Sequence, residues 1–214
     1  MSKGFFFPIG DATKSHTFPI FTISLIIINV AIFVWSLTDF ENVISRYGFI
    51  PAQISLLAVF SSMFLHGGFD HIFGNMWYLW IFGDNIEEKY GKVKFVILYL
   101  LSGIAATFTH LITNLGSNIP AIGASGAISG ILGSYLALFP RGGVYVRFGY
   151  ALTQMPAFVV IGGWFLMQLI FGVTSLVGGM GSGIAFWAHI GGFVFGYLVT
   201  KAMKFKKNRV SYFH

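Results

Sequence analysis

The sequence predicts an all-α integral membrane protein: a bundle of six transmembrane helices with both termini in the cytoplasm. Three observations carry this: the composition, a series of six apolar segments, and the side of the chain on which the basic residues fall. Of 214 residues, 56% are hydrophobic and 9% are charged, against about 45–50% and about 25% in soluble domains. A single small globule could not cover that much apolar surface, so the bilayer is the expected solvent. The 27 glycines and 25 phenylalanines fit close-packed helices with a greasy exterior and argue against a disordered or low-complexity chain. The absence of cysteine excludes a disulfide framework, a thiolate metal site and a cysteine nucleophile. No internal repeat stands out.

Crossing a hydrocarbon core of about 30 Å takes roughly 20 apolar residues at ~1.5 Å each. The spans are read at 19–37, 69–82, 93–112, 125–139, 156–173 and 183–201, of which the second and fourth are short. The first is a permanent helix: Lys3 and Lys14 flank a Phe-rich stretch, and no small-x-small cleavage site follows. Between the first two spans, the apolar run 51–64 holds Ile54, Leu56, Leu57, Val59 and Phe60 and is too short to cross. It reads as interfacial or half-inserted. The chain thus divides into a cytoplasmic segment (1–18), a six-helix domain (19–201) and a basic cytoplasmic tail (202–214).

Orientation follows from charge. Lys3, Lys14, Lys89, Lys92, Lys94, Arg141, Arg147 and the cluster 201–209 occupy the N-terminus, the even loops and the tail, whereas the odd loops hold only Arg46. The positive-inside rule places both termini in the cytoplasm and requires an even number of crossings. The net charge of +6 then reflects topology and attraction to anionic headgroups, not a nucleic-acid partner.

Polar residues inside spans must be satisfied by protein or face a water-filled cavity. His71, Asn75, Ser125, Ser129 and His189 lead them. The sixteen residues from Ser125 to Arg141 make only ~24 Å of helix, so Ser125 starts a helix sunk below the outer face. His189 lies ~18 Å from Lys201 and His71 ~20 Å from Asp84 on the same rise, so three helices deliver polar groups to similar depth. Gly126, Gly130 and Gly133 mark one side of the fourth helix, and Ala188, Gly192 and Gly196 repeat along the sixth. Small residues at that spacing let backbones approach and bring Ser125 toward His189.

Serine needs a neighbouring base to act as a nucleophile, and a neutral imidazole both takes its proton and returns it to a leaving amine. With no acidic third member in the spans, the pair reads as a dyad whose orientation falls to packing or another hydrogen bond. The Ser125 amide at a helix start is an oxyanion donor. His71 and Asn75, four residues apart, share one face of the second helix and point inward with it. The plainer readings are a helix N-cap for Ser125 and interhelical hydrogen bonds for the others. His66 and Asp70 are loop or cap residues nearer the outer boundary.

These residues resemble the rhomboid intramembrane serine proteases over about 18–202. Gly123-Ala124-Ser125-Gly126 looks like the GxSG nucleophile motif, Ala188-His189-Ile190-Gly191-Gly192 with Gly196 like the sixth-helix motif, and His66, His71 and Asn75 follow the H-x4-H-x3-N pattern of the second helix. The resemblance implies Ser125 as nucleophile, His189 as general base and acid, and His71, Asn75 and the Ser125 amide as oxyanion donors. It implies single-pass membrane protein substrates cut near the outer face, no metal or cofactor, and residence in a cell membrane of the bacterial inner-membrane type. Two departures stand out. Ser129 occupies the position where some members carry an aromatic that supports the histidine, and no Trp-Arg pair occurs in 39–65.

The glycine-rich segment 174–183 is either a mobile cap over the site or a plain flexible loop. A metalloprotease would call for HExxH, which is absent, and an aspartyl enzyme for two neighbouring buried carboxylates. The remaining alternatives are an inactive rhomboid-like client-binding protein and, further off, a small-solute transporter.

Overall fold

A computed structural model of the chain describes residues 6–13, 15–178 and 185–203. It is mostly helical. Helix α1 spans Ile20–Ser36, followed by the short α2 (Phe40–Tyr47) and α3 (Leu56–Ser61), and α3 runs into a 3-10 turn, Ser62–Phe64. The long helices α4 (Phe69–Tyr90) and α5 (Lys92–Thr113) come next, then α6 (Ser125–Leu138), α7 (Ala157–Gly178) and α8 (Phe186–Ala202). Three strands complete the molecule: β1 (Phe6–Asp11), β2 (Gly143–Phe148) and β3 (Ala151–Pro156).

Two described helices, Lys92–Thr113 and Ala157–Leu176, are long and apolar enough to cross a membrane by length and composition. Leu56–Phe64 and Phe69–Tyr90 form a pair bent by 85°, and Ile20–Ser36 and Ser125–Leu138 are shorter apolar helices. The run 51–64 is thus partly helical and turns sharply into α4.

The second helix runs well past 82, where hydropathy ends it. Asp84, Asn85, Glu87 and Glu88 depress the hydropathy of that stretch, yet their side chains find partners. Glu87, 3% exposed, accepts from the Phe21 and Thr22 amides at 3.0 and 2.8 Å and from the Thr22 hydroxyl at 2.8 Å. It thereby satisfies donors that the first turn of α1 leaves without intrahelical partners, behind Pro19, which has no capping side chain. Gly91, at φ +74°, then reverses the chain into α5, a backbone conformation that an L side chain resists.

The all-α expectation needs correction. The strands form one antiparallel sheet in the order β1-β2-β3. Val144 and Val146 of β2 are fully buried while Tyr145 between them is exposed, the two-residue period of a strand with one covered face. Gly149 at φ +59° makes the turn to β3. A hydropathy window of about 19 residues averages away a six-residue strand, which is why the connection 140–155 between the fourth and fifth expected spans carries no strand expectation. The N-terminal segment is likewise tied down where described. Trp77 Nε1 donates to the Pro8 carbonyl at 2.8 Å, and the Asp11 carboxylate accepts from Tyr135 Oη at 2.8 Å and Asn85 Nδ2 at 3.0 Å. Burial pushes the Asp11 carboxyl up to about 7, against the pull of the Tyr135 hydrogen bond.

At the centre, α6 packs on α8 and both pack on α5 through glycine. A Cβ at Gly192 would fall on the Gly126 carbonyl, one at Gly196 on the Gly130 carbonyl, and one at Gly133 on the Phe193 carbonyl. From α5, the Ala106 Cβ would meet a side chain at Gly126 at 2.5 Å, and Thr109 would collide with one at Gly191. The close approach expected from the small-residue spacing is therefore a backbone-to-backbone contact.

Candidate active site

Helix α6 begins at Ser125, as its position after Gly123-Ala124 leads one to expect. Gly123, at φ +126°, holds the bend, and a Cβ there would lie 2.8 Å from His71 Nε2 and 3.5 Å from Ser125 Oγ. Its amide donates to the Ser62 carbonyl at 2.9 Å, fixing the bend to the 3-10 turn. Only glycine meets both demands.

Across the glycine contact, the fourth residue of α8 is His189, with Nε2 2.8 Å from Ser125 Oγ. Its other nitrogen, Nδ1, lies 2.9 Å from Gln168 Oε1 on α7. A carbonyl oxygen only accepts, so the ring proton sits on Nδ1 and Nε2 offers its lone pair to the serine hydroxyl. Trp164, one turn before Gln168, lies beside the imidazole, tilted at 34° with ring centroids 6.1 Å apart.

Helix α4 supplies the facing wall. The Gly67 amide donates to His71 Nδ1 at 3.2 Å, so His71 carries its proton on Nε2, the atom beside Gly123. Asn75 is 8% exposed and its Nδ2 has no hydrogen-bond partner among the described residues. A buried amide donor without a protein partner costs about 1–3 kcal/mol. Ser125, His189, His71 and Asn75 line one cavity of about 700 Å³ together with Trp164 and Ser129. A hydroxyl, an imidazole and two further N–H-bearing side chains thus line one cavity, groups of the kind acyl transfer uses.

The other sequence-marked residues fall as follows. His66 is fully buried and packs edge-on against His71 with centroids 5.2 Å apart, while Asp70 is exposed at the cavity wall. Ser129 Oγ donates to the Ser125 carbonyl at 2.6 Å, a bond within its own helix, so it does not orient His189. The other contacts of the ring come from α7, through Gln168 and Trp164, neither of which the sequence reading singles out. A signal was there: Gln168 is a polar residue inside an apolar span, four residues from a Trp on the same helix face. The segment expected to form a loop from 174 is helical through Gly178, and 179–183 lies outside the described residues, as do Lys3, Lys14 and 204–214.

This is the fold and site of a helical membrane protein built around a serine and a histidine. The Rhomboid domain family matches residues 53–204, and the chain belongs to the rhomboid family. It is 30% identical over 200 residues to Rhomboid protein 1, mitochondrial, of Saccharomyces cerevisiae, covering 87% of this chain and 55% of that protein. It is 31% identical over 180 residues to presenilin-associated rhomboid-like protein, mitochondrial, of Bos taurus, covering 80% and 45%. RHOMBOID-like protein 5 of Arabidopsis thaliana is 29% identical over 140 residues, covering 65% and 41%. The chain spans about half the length of these relatives. Two of the names are of mitochondrial proteins, so they lend nothing to a bacterial inner membrane; residence in a membrane is what the family carries over.

Proposed function

We propose that this chain is an intramembrane serine endopeptidase that cuts single-pass transmembrane proteins near the outer face of the membrane through a Ser125–His189 dyad and an acyl-enzyme. The 2.8 Å contact between Ser125 Oγ and His189 Nε2 carries the reading. Six crossings, cytoplasmic termini and a site opening outward form the topology that goes with it; the loop charges support the crossings and the orientation, and a cell membrane of the bacterial inner-membrane type is the setting proposed with them.

Ser125 Oγ attacks the scissile carbonyl carbon as its proton passes to Nε2. The carbonyl oxygen, now negative, is met by His71 Nε2–H, Asn75 Nδ2–H and the Ser125 amide. One such donor contributes about 10²–10³ in rate in hydrolases of this logic. The C–N bond then breaks as Nε2 returns the proton to the leaving amine. Water attacks the ester by the same route, its proton going to Nε2 and then to Ser125 Oγ, and the acid is released. A helical substrate has its carbonyls hydrogen-bonded, so local unwinding precedes attack.

The test uses the full chain in detergent with a fluorophosphonate probe and a single-pass substrate. Labelling and cleavage are both lost in Ser125→Ala, and cleavage is lost in His189→Ala. Cleavage that persists in either variant overturns the proposal.

A further inference from the structure

We infer that Gln168 is the third member of the catalytic arrangement: an uncharged positioning residue that holds the His189 proton on Nδ1 and keeps Nε2 aimed at Ser125. The role rests on the protease reading above and deepens it.

The geometry is specific. Gln168 is 9% exposed, on an apolar helix where an amide without a partner is costly. Among the described residues its side chain bonds to His189 Nδ1 at 2.9 Å, and the same ring bonds Ser125 at 2.8 Å through its other nitrogen. With a carbonyl oxygen at Nδ1, the opposite tautomer would set two lone pairs against each other and point an N–H at the serine, which then could not give up its proton. Trp164, four residues away on the same face of α7, packs beside the ring in a tilted arrangement with centroids 6.1 Å apart. Serine hydrolases in water-soluble folds give this work to a carboxylate. Within an apolar bundle an ionised carboxylate is expensive to bury, and once imidazolium forms it would pair with it as a buried ion pair. An amide with its oxygen turned to Nδ1, as Gln168 has it, favours the same tautomer without that charge, whereas the same amide turned over would present its NH2. The aromatic missing at position 129 is thus replaced from a different helix, by a ring and an acceptor one turn apart.

A filler role and a positioning role separate in kinetics. In Gln168→Leu, of similar volume and without an acceptor, kcat falls about 10–100-fold, the size of effect seen when the hydrogen-bond partner of a metal-bound histidine is removed, while KM changes little. Gln168→Glu restores an acceptor, recovering kcat to within several-fold at high pH. Because its carboxylate favours imidazolium, the acid limb of the kcat–pH profile moves up by about one unit or more. A residue that only fills space would, in Gln168→Leu, change thermal stability or KM and leave kcat at wild type, and the limb shift in Gln168→Glu reports that position 168 faces the ring. Wild-type kcat in Gln168→Leu, or an unmoved acid limb in Gln168→Glu, overturns the inference; should the Leu variant fail to fold, the Glu profile decides. A wild-type chain that neither labels with fluorophosphonate nor cleaves sinks the protease reading itself, an outcome distinct from a fully active Gln168→Leu.

Discussion

Replacing Gly192 by alanine adds one methyl group where α8 meets α6, three residues from His189. The new Cβ would fall on the Gly126 carbonyl, 3.0 Å from its carbon and 3.4 Å from the Ser102 carbonyl oxygen. Both neighbours are backbone, so no side chain can swing away, and the two helices must part by about 1 Å. Overpacking of this kind costs roughly 1–3 kcal/mol. At about 2–4 °C per kcal/mol for a chain of this size, the thermal midpoint falls by several degrees. The catalytic effect is larger. Parting the helices lengthens the 2.8 Å contact between Ser125 and His189 beyond hydrogen-bonding range, and a displacement of that size costs about 10²-fold in rate. Substrate cleavage in detergent measures kcat, and differential scanning fluorimetry measures the midpoint. The control is Gly163→Ala on α7, where a Cβ meets nothing within 4 Å, so kcat stays at wild type and the midpoint does not fall, since alanine favours a helix interior over glycine. Gly192→Ala with wild-type kcat and midpoint would refute the idea that backbone contact sets the dyad distance.

Two further perturbations probe the end of the molecule away from the dyad. Glu87→Leu strands the Phe21 and Thr22 amides and the Thr22 hydroxyl, each costing about 1–3 kcal/mol when left buried, so the thermal midpoint drops by more than in Gly192→Ala while the surviving folded protein keeps its fluorophosphonate labelling. Asp11 is raised from 3.8 to about 7: between those values the folded chain holds a proton that the unfolded chain has released, so stability falls as pH rises across that window. Amide exchange of β1 should quicken from pH 4 to 7 in the wild type and lose its Asp11 share of that slope in Asp11→Asn, whose amide oxygen still accepts from Tyr135 and Asn85; equal slopes in both would count against this account.

The site was more legible in the sequence than the fold around it. Ser125, His189, His71 and Asn75 sit in short motifs, and the glycine spacing already says that α6 and α8 touch, because a backbone contact requires small residues whatever else surrounds it. Gln168 carries the same kind of signal, a polar group in an apolar span, but its partner is 21 residues away and nothing local says which nitrogen it faces. The sheet was harder to foresee. Its strands come from the chain's beginning and from the connection between α6 and α7, and β1 pairs with β2 across more than 130 residues. The extent of α4 failed for a related reason: Glu87 and Asn85 look like a helix end until their non-local partners are known.

A division of labour follows from which contacts are backbone and which are side chain. Ser125 and His189 are set by glycines that place one main chain against another, so their separation has little freedom to adjust. The side chains proposed to serve them ride on other helices: His71 and Asn75 on α4, Gln168 and Trp164 on α7. Tyr135, ten residues along α6 from Ser125, is bonded to Asp11. Ten residues of helix span ~15 Å, so β1 grips the helix of the nucleophile near its far end and a substitution in that strand reaches the serine only by moving α6 as a rigid body. Tm should therefore respond to changes at Asp11 well before kcat does, because the glycine contacts hold the dyad distance until the bundle itself comes apart.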